Sequence, residues 1–186
     1  MGRRIFRGWG VETVFVALLV SVNSVEALGL KGLGIKVGVD LTQQESALSG
    51  TSFDTASLVI GGHLDLGSFI IPKLHLVPGI DVVIQDDLRT FSLNGDARYL
   101  FIQNEKTIGY AGAGIGVHLN RFDEMILNAD PNFQNNTKIS VNIPLGFQRK
   151  VSRGLLWFGE LKLVIADDQT DSSFRFSVGL TLGAGN

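Results

Sequence analysis

The chain has 186 residues, 45% hydrophobic and 18% charged, with 23 Gly and no Cys. That length holds one domain, and without cysteine neither disulfides nor thiolate metal sites can form. A formal net charge of -2, with no Lys/Arg run to offset it, excludes a general nucleic-acid binder.

The first element stands apart from the rest. Arg3, Arg4 and Arg7 precede a short apolar run over 14–22, and Val25 and Ala27 place small residues three and one before a cut. This is the three-part order of a secretory signal peptide. The run is shorter than the ~20 residues that span a bilayer comfortably. A retained anchor helix is the competing reading, for which Glu12 is an unusual neighbour. The division expected is a leader over 1–27, cut after Ala27, and one folded unit over 28–186. No later segment has 18 uninterrupted apolar residues, which excludes a bundle of transmembrane helices.

Eight runs of strict alternation follow. Leu33, Ile35, Val37, Val39 and Leu41 open the series, and Leu58, Ile60, Leu64 and Leu66 continue it. Leu74, Leu76, Ile80, Val82 and Ile84 form the third run; Phe91, Leu93, Ala97, Tyr99 and Phe101 the fourth. The fifth is Ala111, Ala113, Ile115, Val117 and Leu119; the sixth is Ile139, Val141, Ile143, Leu145 and Phe147. Trp157, Leu161, Leu163 and Ile165, then Phe174, Phe176, Val178, Leu180 and Leu182, complete them. Period two means strand, because successive side chains point to opposite faces. Each run covers about 9–11 residues, the length of a tilted strand crossing hydrocarbon, against about 5–6 for a soluble strand.

The links between runs fall into two sets. Those at 67–72, 103–107 and 149–154 are tight; at the other end 42–56 and 120–138 are long, beside 85–89 and 167–173. Short turns at one end and long loops at the other are the asymmetry of outer-membrane barrels, whose turns are periplasmic. The loop-end links carry ten acidic residues, Glu45, Asp54, Asp86, Asp87, Asp123, Glu124, Asp130, Asp167, Asp168 and Asp171, against Arg89, Arg121 and Lys138. The tight turns carry Lys106, Arg149, Lys150 and Arg153 against Glu105. Aromatic residues on the apolar face gather near strand ends: Phe91, Phe174 and Phe176 at one, Phe101, Phe147 and Trp157 at the other. Such girdles mark bilayer interfaces.

The second face holds the charges: Lys36, Lys73, Arg98, Lys162 and Arg175 against Asp40, Asp65, Asp81, Asp96 and Glu160, together with His63 and His75. The apolar face holds none. A Lys or Arg facing lipid at midplane costs about 2–4 kcal/mol, a cost that empties one face in this way. The expectation is an all-β, eight-stranded antiparallel up-and-down transmembrane barrel, leucines outward and charges inward. Closure removes the sheet edges that lipid could not satisfy. An eight-stranded barrel is just wide enough to be filled by side chains. Inward Gly34, Gly38, Gly61, Gly112, Gly114, Gly116 and Gly179 leave room for Arg98, Lys162, Tyr110 and the histidines. A turn centred near Phe69 sets His63 against His75 and Asp65 against Lys73. Two histidines alone make no zinc site, which takes three or four ligands, so no metal and no cofactor are expected.

On this pattern the chain resembles the small eight-stranded outer-membrane β-barrel family (OmpA/OmpX/OmpW-like) of Gram-negative envelopes, over about 33–182. In the last strand Ser177, Gly179 and Leu182 match the family's assembly signal, while Ala184 and Asn186 depart from it. The resemblance implies an outer-membrane location with periplasmic termini. It also implies contact with lipid and lipopolysaccharide, and recognition by the barrel-assembly machinery. The peptidoglycan-binding domain of OmpA-type members is not carried over.

Three functions compete. A structural or surface-interaction barrel fits the balanced lumen and the long loops 42–56 and 120–138, which offer a surface to an extracellular partner. A narrow pore fits the Gly-rich inward face of the fifth run. A lipid-modifying enzyme needs nucleophile and base within reach of lipid, yet His63, His75 and His118 all lie on the inward register. The chain is therefore expected not to be an enzyme. The acidic pairs Asp86-Asp87, Asp123-Glu124 and Asp167-Asp168 suit divalent cations chemically, but read as solvated loop. Gly112–Gly116, GAGIG, lies within a strand rather than opening a helix and is no dinucleotide motif.

Overall fold

A computed structural model describes residues 29–46, 50–85, 88–122, 136–167 and 172–183. The leader over 1–27, the loop tips at 123–135 and 168–171, Asp86-Asp87, and Ala184 with Asn186 lie outside the described residues.

The described residues form nine strands: β1 (Gly32–Ser46), β2 (Gly50–Asp65), β3 (Ser68–Phe69), β4 (Ile71–Ile84), β5 (Leu88–Gln103), β6 (Thr107–Phe122), β7 (Asn136–Ser152), β8 (Leu155–Ala166) and β9 (Ser173–Gly183). Eight are long staves; β3 is a two-residue piece in the β2–β4 turn. Every stave pairs antiparallel with its sequence neighbours, and β1 pairs with β9 from Gly32↔Gly183 to Thr42↔Ser173, which closes the cylinder. The expected eight-stranded antiparallel barrel is what forms. Among the described residues no helix is long and apolar enough to cross a membrane.

Burial follows the period-two pattern in the expected sense. The outward rows are bare, with Ile35 66%, Ile115 68% and Ile139 62% exposed, while Lys162, Glu160 and Asp96 in the lumen are at most 2% exposed. Hydrophobic burial drives folding in water, so a wet exterior of this composition would be upside down. Phe91, Phe101, Phe147, Phe174 and Phe176 are exposed at the two ends, and Trp157 is half-covered against Phe147.

The staves run 11 to 17 residues, longer than the apolar runs suggested. The span 42–56, expected as a loop, is largely a continuation of the β1–β2 hairpin: pairing reaches Ser46↔Gly50, with an irregularity between Thr42 and Gln44. Likewise Asn120 pairs with Asn136, and β7 runs on to Ser152. The apolar alternation records where side chains meet hydrocarbon. Backbone pairing does not stop at that boundary.

The β2–β4 connection also departs from expectation. His63 faces Gly79, not His75, and Gly61 faces Asp81. The cause is the turn, where β3 inserts a short extra ladder, Ser68↔His75 and Phe69↔Ile71. Gly67 takes φ 76° and Ile70 φ 64°. A β-branched residue in the left-handed region is a strained outlier, which no sequence rule would choose. Asp65 caps the turn by accepting the Gly67 N–H at 2.8 Å.

Candidate functional site

The lumen is the site, and period two puts its residues there. Lys36 and Asp40 come from β1, Asp81 from β4, Asp96 and Arg98 from β5, Glu160 and Lys162 from β8, and Arg175 from β9. All eight are buried. Four cations thus meet four anions.

Two neighbouring groups share the charge. In the first, Arg175 faces Asp40 in the β1–β9 register and donates from Nε at 2.8 Å. Its Nη1 reaches across the lumen to Asp81 at 2.9 Å, and Lys36 Nζ approaches the other oxygen of Asp81 at 2.9 Å. Ser173 Oγ donates to Asp40 at 3.0 Å. In the second group, Arg98 bonds Glu160 at 2.7 Å and lies 4.6 Å above the Tyr110 ring, whose hydroxyl donates to the same Glu160 oxygen at 2.8 Å. Lys162 bonds Asp96 at 2.7 Å. Lys36 and Lys162 flank Glu160 at 3.8 and 3.9 Å and join the two groups.

Lys162 and Arg175 face each other on adjacent strands. Like charges so placed repel. Each instead turns to its own carboxylates, Lys162 to Asp96 and Arg175 to Asp40 and Asp81. Buried ions are tolerated only when paired; each of these eight has an oppositely charged partner within 4 Å, and the set carries no net charge, while Asp96 Oδ1, Arg98 Nε and Glu160 Oε1 have no hydrogen-bond partner among the described residues.

An uncharged chain continues from this cluster. Asn94 Nδ2 donates to Asp81 at 3.1 Å, Asn142 Nδ2 to Asn94 Oδ1 at 2.9 Å, and Ser140 Oγ to Asn142 Oδ1 at 3.0 Å. With the Ser140 proton so directed, His118 Nε2 donates to Ser140 Oγ at 2.7 Å, and Nδ1 accepts from Ser92 Oγ at 2.7 Å. Charge counting passed over these residues because they are neutral, although they occupy the same inward positions.

The remaining expected site residues divide. His63 is buried, edge-on to Phe158 with ring centroids 5.1 Å apart. Asp65 and His75 meet at 2.9 Å at the turn end. Lys73 is exposed beside the turn and makes no ion pair among the described residues, so the expected Asp65–Lys73 pair is replaced by Asp65–His75. The register shift in the turn is the reason.

Inward glycines are filled, not open. A Cβ on Gly34 would collide with the His63 ring, and one on Gly179 would lie 2.6 Å from Phe158 Cζ. On β6, Gly114 is covered by Asp96 and Gly116 by Ser140 and Asn94. The Gly-rich face thus leaves no gap there, contrary to the support it lent a pore. A cavity of about 70 Å³ opens at the loop-end mouth, lined by residues including Gln85, Thr90, His118, Lys138 and Arg175. No group of three or more His, Cys, Asp or Glu residues suited to a metal occurs among the described residues.

An apolar exterior around an ionic, closed interior defines an eight-stranded β-barrel of the outer-membrane type. The fold is shared with two solved structures. One is the N-terminal β-barrel domain of Pseudomonas aeruginosa OprF, with TM-score 0.58 and 12% identity, covering 83% of this chain and 98% of that one. The other is Neisserial surface protein A, NspA, with TM-score 0.58 and 14% identity, covering 81% and 95%. No protein-family model and no curated protein matches the sequence.

Proposed function

We propose that the chain is an integral outer-membrane protein of a Gram-negative envelope, with a plugged lumen and a structural or surface-interaction role. The observation that carries this is the inversion: isoleucines are bare on the outside, and four cations and four anions compensate one another inside. Lipid satisfies the first and the closed ladder removes edges that lipid could not. The turn end and both termini face the periplasm. The extended β1–β2 hairpin and the loop joining β6 to β7 then face outward, where they meet lipopolysaccharide and an extracellular partner. β9, with Ser177, Gly179 and Leu182, is the strand read by the assembly machinery.

An ion entering the mouth meets Arg175, itself bound to Asp40 and Asp81. The Ser92–His118 contact pairs a hydroxyl with a base, but Ser92 is fully buried and the chain runs on to Ser140 and Asn142. It is a packing network and supports no acyl-chain hydrolysis.

The test is conductance of the refolded chain in a planar bilayer. Silence is expected, with Arg98→Ala or Lys162→Ala admitting a current. Discrete steps from the unmodified chain would replace the plugged reading by that of a narrow pore.

A further inference from the structure

We propose that the short-turn rim is a cationic collar that binds the phosphates of anionic phospholipids in the leaflet it faces; this rests on the membrane insertion proposed above. Lys31, Lys73, Lys106, Arg149, Lys150 and Arg153 are all exposed at this end. They come from four places around it: the approach to β1, the start of β4, the β5–β6 turn, and the end of β7 with its turn into β8. None forms an ion pair among the described residues, and the exposed acid beside them is Glu105. Asp65, the other acid at this end, is half-buried and engaged with His75.

The backbone fixes the height of the collar. Arg149 continues the outward row of Leu145 and Phe147 and pairs with Thr107 on one side and Trp157 on the other. The Phe147 and Trp157 rings meet edge-to-face at 5.0 Å. Such rings settle at the interface, so Arg149 stands one step beyond the hydrocarbon, at the level of phosphate. The Lys150 N–H donates to the Lys106 carbonyl at 2.9 Å, which holds two cation-bearing turns side by side. A guanidinium suits phosphate by bidentate hydrogen bonding, and lysines add point charge. The collar therefore selects by net charge: a zwitterionic lipid offers little, an anionic one much.

The test uses the full chain with Trp9→Phe, which leaves Trp157 as the single tryptophan beside the collar. It is reconstituted in phosphatidylcholine vesicles containing either brominated phosphatidylglycerol or brominated phosphatidylcholine. Both lipids should quench Trp157. The anionic one should bind about fivefold more tightly, the worth of one interfacial cation, and the preference should fade as salt shortens the Debye length. The variant carrying K31Q, K73Q, K106Q, R149Q, K150Q and R153Q should bring the ratio to one. Equal quenching in the unmodified chain, a preference that survives high salt, or one that survives in the variant overturns the collar. No quenching by either lipid overturns membrane insertion itself.

Discussion

Replacing Arg98 by Ala strikes the lumen at its most shared contact. Arg98 is buried, 2.7 Å from Glu160 and 3.7 Å from Asp96, and it caps the Tyr110 ring at 4.6 Å. The substitution leaves three cations to face four anions. Removing one partner of a buried pair costs about 3–5 kcal/mol. Glu160 keeps the Tyr110 hydroxyl at 2.8 Å and Lys36 and Lys162 at 3.8 and 3.9 Å. Those survivors hold the electrostatic loss to the lower end, about 3 kcal/mol, and the lost cation–π contact adds about 1 kcal/mol. Urea unfolding of the vesicle-inserted protein in the Trp9→Phe background, followed by Trp157 fluorescence, reads the change. The Arg98→Met, Glu160→Gln double variant removes both charges and should lose less than the sum of the single variants, with a coupling of about 2 kcal/mol. A loss under about 1 kcal/mol for Arg98→Ala, below any buried pair, would refute the reasoning, as would zero coupling.

Ile115 sits mid-strand on the exterior of β6 and is 68% exposed. Ile115→Lys should cost about 2–4 kcal/mol in a bilayer, whereas a water-facing site would register within about 0.5 kcal/mol; the same urea titration separates the two. Gly34→Ala forces a methyl into the His63 ring and should destabilise by about 1–3 kcal/mol through overpacking. Adding His63→Ala should recover most of that loss, and no recovery would show the strain to be in the backbone. Finally, N-terminal sequencing of the chain recovered from a secreting Gram-negative host should begin at Leu28; an intact Met1 would favour the anchor reading.

Strand type and facing were legible because each lives in a single run of residues. Leu33 through Leu41 alternate with Gly34, Lys36, Gly38 and Asp40, and a pleated strand has two faces only, so one residue's side dictates its neighbours'. Lys36, Asp40, Asp81, Asp96, Arg98, Glu160, Lys162 and Arg175, which share the inward parity, are all buried, whereas Asp65 is half-buried at the turn end and Lys73 is exposed. Lys73 has inward parity but lies beside the irregular turn, where Gly67 and Ile70 break the extended backbone on which parity depends. Stave length was not legible either: Thr42 to Ser46 look like loop because they are polar, yet they pair with Gly50 to Thr55 by backbone groups indifferent to side chain.

The sequence by itself determined that the chain is a set of eight amphipathic strands with charges balanced on one face, since alternation and charge are local properties. Which cation meets which carboxylate was decided only by the closed tertiary structure. Arg175 reaches Asp81 across the lumen because closure sets β9 and β4 three strands apart, with β1 and β2 between them, and Lys36 joins both ionic groups because it projects between them. Those meetings depend on strand number, tilt and stagger taken together, which belong to the cylinder and to no segment of it.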